Sequence, residues 1–236
     1  MNGITKFDSF NVEKMQRLKT GIDGLDRLIE GGLPKNSITL VSGPPGGGKS
    51  IFCFQFLYEG AKNQEKCLFL TLDKQVEGLL IQAKNLGFDF QPAIEKNLVK
   101  FLFLNINKKF VYEAMTNEIL SGQYSRIVLD SITPLSEMPI FIRNTEDSSL
   151  DISMVDTEEL PEGTNLPTRR LHLRYIMSAL ESSKSTTIVT SELPVGSSLL
   201  SRDGISEFLA DGVITLSLDP TMDRRKLSIM KMRNTK

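Results

Sequence analysis

At positions 43–50 the chain reads G-x-x-x-x-G-K-S, a set of residue types suited to holding a phosphate. Gly43, Gly46, Gly47 and Gly48 carry no side chains, so backbone N–H groups can turn inward and approach phosphate oxygens. Lys49 has the length and charge to reach β- and γ-phosphates, and the Ser50 hydroxyl is a hard oxygen ligand suited to Mg²⁺. Ile51, Phe52, Cys53, Phe54, Phe56 and Leu57 follow as an apolar helical run. The positive N-terminal end of that helix adds to the attraction for an anion. A β-type run at 38–41 precedes the loop, so strand, loop and helix come in the order that a phosphate-binding loop requires. The expected ligand is a nucleoside triphosphate with Mg²⁺.

Hydrolysis of such a ligand needs further groups, and the sequence offers candidates at strand ends. Asp130 follows the apolar run 127–129 and can hold the metal together with Ser50. Asp73 closes a second apolar strand and is placed to orient or deprotonate water. Glu192 ends a fifth strand on the same expected edge, with Thr190 and Ser191 beside it within reach of a phosphate or its water. The alternative for Glu192 is a turn residue before Pro194. Residues 224–236 contain six basic side chains and no acid. Lys231 and Arg233 are two apart on an expected strand and so share a face. They are candidates either for charge neutralisation at a phosphate or for protecting an exposed sheet edge.

Positioning these groups calls for an α/β fold. Strands are expected at 37–41, 67–72, 98–104, 127–130 and 187–192, with helices at 51–58, 74–86, 109–120 and 169–180 between them. Another helix is expected where Ile22, Leu25, Leu28 and Ile29 recur, stopped by Gly31, Gly32 and Pro34. Apolar strands alternating with helices imply a mainly parallel twisted sheet covered on both faces. The runs 212–218 and 227–232, joined through Asp219-Pro220, are expected to form a C-terminal antiparallel hairpin. Residues 1–18 read as a polar lead-in and 19–236 as one domain. The stretch 144–168 interrupts the pattern with seven acids and no Lys or Arg. It is expected to be a solvated, disordered excursion or a loop that binds a protein partner or lines a channel.

Composition narrows the function classes. The 236 residues are 40% apolar and 24% charged with a net charge of −1, so no global charge draws the chain to nucleic acid or membrane. No apolar run approaches 18 residues, and residues 1–11 lack the apolar core of a signal peptide. Cys53 and Cys67 have no metal-like spacing and His172 is the sole histidine. Reduced cysteines and a cytoplasmic location are expected.

Three segments add a resemblance. Thr20-Gly21-Ile22-Asp23-Gly24-Leu25-Asp26 runs through Gly31-Gly32-Leu33-Pro34 into the phosphate loop. Asp130-Ser131-Ile132-Thr133 follows the fourth strand. Glu207-Phe208-Leu209-Ala210-Asp211-Gly212-Val213-Ile214 leads on to Lys231-Met232-Arg233-Asn234-Thr235. Over 18–235 the chain resembles the RecA-like ATPases of the KaiC type, a group that includes archaeal RadA paralogues. The resemblance implies ATP as the nucleotide and a ring, usually a hexamer, with ATP between subunits. It also implies that Lys231 and Arg233 reach the neighbour's γ-phosphate. Two positions depart from the pattern. Asp73-Lys74 stands where relatives pair two glutamates, which implies slow turnover or a nucleotide-gated assembly module. Asn234 stands where relatives usually have glycine. DNA binding of the RadA type is disfavoured by the acidic 144–168, and no Ser or Thr is singled out for autophosphorylation.

Overall fold

A computed structural model describes residues 15–106, 108, 111–137, 165–219, 221–222 and 224–236. The chain enters through β1 (Arg17–Leu18), α1 (Asp23–Leu28) and β2 (Leu33–Pro34), the two strands pairing antiparallel as a small separate sheet. Then come β3 (Ile38–Gly43), α2 (Lys49–Lys62), β4 (Cys67–Thr71), α3 (Val76–Asn85), α4 (Gln91–Glu95), β5 (Val99–Phe103) and α5 (Val111–Ser121). The last elements are β6 (Arg126–Asp130), α6 (Thr133–Glu137), α7 (Asn165–Ser182), β7 (Thr186–Glu192), α8 (Ser206–Leu209), β8 (Gly212–Asp219) and β9 (Arg224–Met232).

The seven-stranded sheet runs β5-β4-β6-β7-β3-β8-β9. All pairings among β3 to β8 are parallel; β8 and β9 form the antiparallel hairpin expected from the sequence. The period-2 alternation of each central strand feeds two cores. Leu68 and Leu70 of β4, with Ile127 and Leu129 of β6, pack against α5, α6 and α7. Cys67, Phe69 and Val128, on the opposite face, pack against α2 and α3 with Phe52, Phe54, Phe56 and Leu57. Phe69 stacks on Phe101 at 5.1 Å between centroids, and Phe90 meets Phe101 edge-on at 5.1 Å. Because the strands are parallel, β3, β4, β6 and β7 all end at one edge, where open α/β sheets bind ligands.

The departures from the sequence reading are local. The lead-in contributes β1, because Gly32 (φ +137°) lets the backbone of Leu18 pass so close that a Cβ there would lie 2.2 Å from the Leu18 carbonyl oxygen. Leu25 of α1 and Ile29, the residue that follows the helix, are buried, whereas Leu28 faces solvent. The third helix begins at Val76 rather than 74, since Gln75 is still extended (φ −63°, ψ 142°). Helix α7 starts at Asn165, four residues inside the acidic stretch; the rest of that stretch, 144–164, lies outside the described residues.

Two buried charged residues act within the fold. Asp26 is buried, and its carboxylate accepts hydrogen bonds from the Thr20 N–H (2.8 Å), the Thr20 hydroxyl (2.7 Å) and the Gly21 N–H (3.2 Å). Gln55 of α2 donates to the Gly21 carbonyl at 2.9 Å, so this turn is locked to the helix after the phosphate loop. Asp26→Ala leaves buried donors unpaired and is expected to cost about 1–3 kcal/mol, read as a lower midpoint in chemical denaturation with ATP affinity of the folded protein unchanged. Arg126 is also buried, bonded to Glu65 and to the carbonyls of Lys19 (2.6 Å) and Phe56 (3.0 Å).

Candidate functional site

The phosphate loop leaves β3, flanked by β7 and β8, in the middle of the sheet's ligand-binding edge. Gly46 (φ +74°) and Gly48 (φ +101°) take left-handed backbone conformations that a side chain would strain. Gly48 is the residue before α2, and its carbonyl accepts the Phe52 N–H at 2.9 Å, so the loop passes directly into the helix N-terminus. The Lys49 ammonium folds under the loop and donates to the carbonyls of Gly43 (2.8 Å) and Pro44 (3.1 Å). Burial lowers its pKa, and the carboxylates of Glu192 and Asp130 pull the other way.

Asp130, the last residue of β6, faces the start of α2. The Ser50 hydroxyl donates to its Oδ2 at 3.3 Å, and the Thr190 hydroxyl donates to its Oδ1 at 2.5 Å. A hydroxyl and a carboxylate form a hard, all-oxygen donor pair that fits Mg²⁺, which characteristically takes one or two protein oxygens and completes its shell with phosphate and water. Among the described residues no group of three or more His, Cys, Asp or Glu is arranged to hold a metal.

Asp73 lies just beyond the end of β4. The Ser131 hydroxyl makes a long hydrogen bond of 3.4 Å to its Oδ2. Partial burial, then the carboxylates of Glu192 and Asp130, raise its pKa, opposed by the Ser131 hydrogen bond and by Lys74. Glu192 is fixed from β6's continuation, its N–H donating to the Thr133 hydroxyl at 3.0 Å. The motif Asp130-Ser131-Ile132-Thr133 therefore ties together the ends of β4, β6 and β7 around the phosphate loop.

These groups line one open cleft of about 870 Å³, within the range of small-molecule sites. Lys49, Ser50, Asp73, Asp130 and Glu192 all line it, with Thr71 on its floor and Gly78, Ile81 and Gln82 of α3 along its wall. Lys74 and Arg225 line it too. Arg225 stands out only once the hairpin is folded: it pairs with Leu218 across β8 and β9, which carries its side chain to the loop beside Gly48. In the sequence it is one of three consecutive basic residues. The α3 wall left no signal either, because its residues are unremarkable in type.

Other candidates sit elsewhere. Thr190 and Ser191 are buried, Thr190 holding Asp130 and Ser191 accepting the Arg202 N–H at 3.0 Å. Lys231 and Arg233 do not line the cleft of their own chain. The Lys231 ammonium donates to the carbonyls of Glu207 (3.1 Å) and Ala210 (2.5 Å), and Arg233 pairs with Asp211 at 3.2 Å. Asp211 is itself built into the fold, accepting the Ile38 N–H at 3.0 Å. Among the described residues no helix is long and apolar enough to cross a membrane.

A mainly parallel sheet with a glycine-rich loop, a lysine, a hydroxyl and a strand-end carboxylate at its edge defines a RecA-like P-loop protein. The family model for the KaiC ATPase matches residues 18–236, and the chain belongs to that family. It is similar to the circadian clock oscillator protein KaiC of Picosynechococcus, 28% identical over all of this chain and 44% of that one. It is also similar to an Aeropyrum pernix protein of the UPF0273 group, 30% identical over 94% of this chain and 87% of that one. The chain spans less than half the length of the clock proteins it matches. A crystal structure of a KaiC-like protein from Pyrococcus horikoshii superimposes with a TM-score of 0.74 at 30% identity, covering 94% of this chain and 91% of that one.

Proposed function

We propose that this chain is a Mg²⁺-dependent ATPase that assembles as a ring, a hexamer, with ATP between subunits. The observation that carries the reading is the convergence of Lys49, the Ser50–Asp130 pair at 3.3 Å, Asp73 and Glu192 on one cleft. Bound Mg²⁺ supplies neutralisation of charge on the β- and γ-phosphates. Lys49 leaves its two loop carbonyls for those phosphates. Ser50 and Asp130 hold the cation. Asp73 orients the attacking water and accepts its proton, with Ser131 fixing the carboxylate; Glu192 is the second carboxylate facing the same water. Lys231 and Arg233 act on the neighbouring subunit's γ-phosphate, neutralising charge in the transition state as arginine fingers do.

The test is phosphate release from ATP with Mg²⁺, with molecular mass recorded by light scattering with and without nucleotide. Turnover in a ring supports the reading. Turnover by a monomer would remove the interface from it, and no turnover with no nucleotide-dependent assembly would overturn it.

A second reading is a nucleotide-gated assembly module with little turnover. It is favoured by Lys74, which lines the same cleft as Asp73 where a cation weakens a neighbouring base. A ring formed on ATP without phosphate release is its signature.

The raised pKa of Asp73 sets a pH dependence. As the base must be ionised, kcat at saturating ATP is expected to rise with pH along a limb centred above the ordinary value of an aspartate. A pH profile checks this, and Asp73→Asn should remove the limb. The linked stability has the opposite sense. The folded state holds the Asp73 proton more tightly than the unfolded chain, so stability falls as pH rises from the unfolded to the folded pKa. The effect is small because Asp73 is only partly buried and solvent screens the carboxylates around it.

A further inference from the structure

Lys231 and Arg233 stand near the end of the edge strand β9, and an element with few neighbours frays. Up to Met232 the backbone is held by the ladder with β8, and the Arg233 N–H donates to the Asp211 carbonyl at 3.0 Å. Beyond that point no strand pairing continues. Asn234 turns the chain with a left-handed φ of +60°. What holds the segment there is a pair of side chains from near the opposite end of the described chain, Arg17 and Glu30.

The Arg17 guanidinium spreads four hydrogen bonds over this junction. Nη2 donates to the Asn234 carbonyl at 2.6 Å and Nη1 to the Thr235 hydroxyl at 3.0 Å. Nη2 also donates to Glu30 Oε2 at 2.7 Å and Nη1 to the Gly32 carbonyl at 3.2 Å. Glu30 completes the grip, its other oxygen accepting the Lys236 N–H at 3.1 Å. The Arg17 side chain is 10% exposed and its bonds to Gly32 and Thr235 are partly buried, whereas those to Glu30 and Asn234 lie at the surface. Gly32, which lets β1 lie against β2, is what seats Arg17 there. A rigid planar fork suits this task because it fixes several acceptors relative to one another, which a single ammonium cannot do.

We infer that Arg17 is a positioning residue for the cations supplied in trans: with Glu30 it clamps residues 234–236 and so fixes the direction in which Lys231 and Arg233 meet the neighbouring subunit. The inference rests on the ring reading above. Misplacing a catalytic group by about 1 Å can cost on the order of a hundredfold in rate, so loosening this clamp acts on turnover with the ATP cleft untouched.

The experiment uses mixed assemblies of the full chain. Arg17→Ala subunits keep Lys49, Ser50, Asp73 and Asp130 but present loosened cations. Lys49→Ala subunits have the reverse defect. Arg17→Ala alone is expected to release phosphate at least roughly tenfold more slowly, with ATP affinity unchanged. Mixed with Lys49→Ala, it should recover several-fold, because some interfaces then pair an intact cleft with clamped cations. A residue needed only for stability would show no such complementation. Arg233→Ala mixed with Lys49→Ala tests the ring reading separately. If that pair complements and the Arg17 pair does not, or if Arg17→Ala turns over at the wild-type rate, the role of Arg17 is overturned and the ring reading stands. If neither pair complements, the trans role itself falls and the inference with it. Should Arg17→Ala fail to fold, Arg17→Lys, which keeps the charge and loses the fork, is measured in the same mixtures with the same expected recovery.

Discussion

Lys49→Ala is expected to lower phosphate release at least a hundredfold, the scale for losing a preorganised charge from a transition state. The ammonium lies under the loop on the carbonyls of Gly43 and Pro44, at 2.8 and 3.1 Å, a reach that lets it swing to a phosphate without moving α2. Alanine removes that charge from beside the developing negative charge. ATP affinity should fall in parallel, measured by titration with a fluorescent nucleotide. The fold should survive, since the lysine's partners are two loop carbonyls that water can reach once the side chain is gone. A melting temperature near that of the parent protein would confirm that the loss is local. Turnover at the parent rate would exclude this cleft as the site of hydrolysis.

Asp73→Asn is expected to lower kcat by about 10²–10⁴ with little change in KM, the range for removing a general base. The amide keeps the shape and the Ser131 contact but accepts no proton. The paired change Asp73→Glu with Lys74→Glu should act in the opposite direction, raising turnover roughly tenfold. The longer carboxylate reaches further toward the γ-phosphate, and removing Lys74 takes away a cation that lowers the pKa of the carboxylate and so weakens it as a base. Single-turnover kinetics separate these changes from product release. If Asp73→Asn leaves the rate unchanged, the base is Glu192, which lines the same cleft, and Glu192→Gln becomes the inactive variant.

Most of the binding half of the site was legible in the chain because its signals are local. Gly46, Gly48, Lys49 and Ser50 sit within a few positions of one another, and their spacing maps onto a loop running into a helix. Asp130 was legible from an apolar run ending in an acid. Arg225 was not, because its place at Gly48 depends on how β9 pairs with β8 and on where β8 lies beside β3. Asp26 belonged to a recognisable motif, yet its task of binding Thr20 and Gly21 emerges only when that turn closes against Gln55. Lys231 and Arg233 were legible as a basic pair; their contacts with Glu207, Ala210 and Asp211 were not.

By itself the sequence determined an α/β chain with helices on both faces, a C-terminal hairpin and a glycine-rich loop with its lysine, together with an acid at the end of an apolar strand. Those features follow from periodicity and from residue types a few positions apart. Tertiary structure alone decided the strand order β5-β4-β6-β7-β3-β8-β9, which brings Asp73, Asp130 and Glu192 to the edge where the loop opens. It also decided that Arg17 grips Asn234 across 217 positions. Such a pairing leaves no mark in local sequence, because what selects it is the packed sheet between the two ends and not any spacing along the chain.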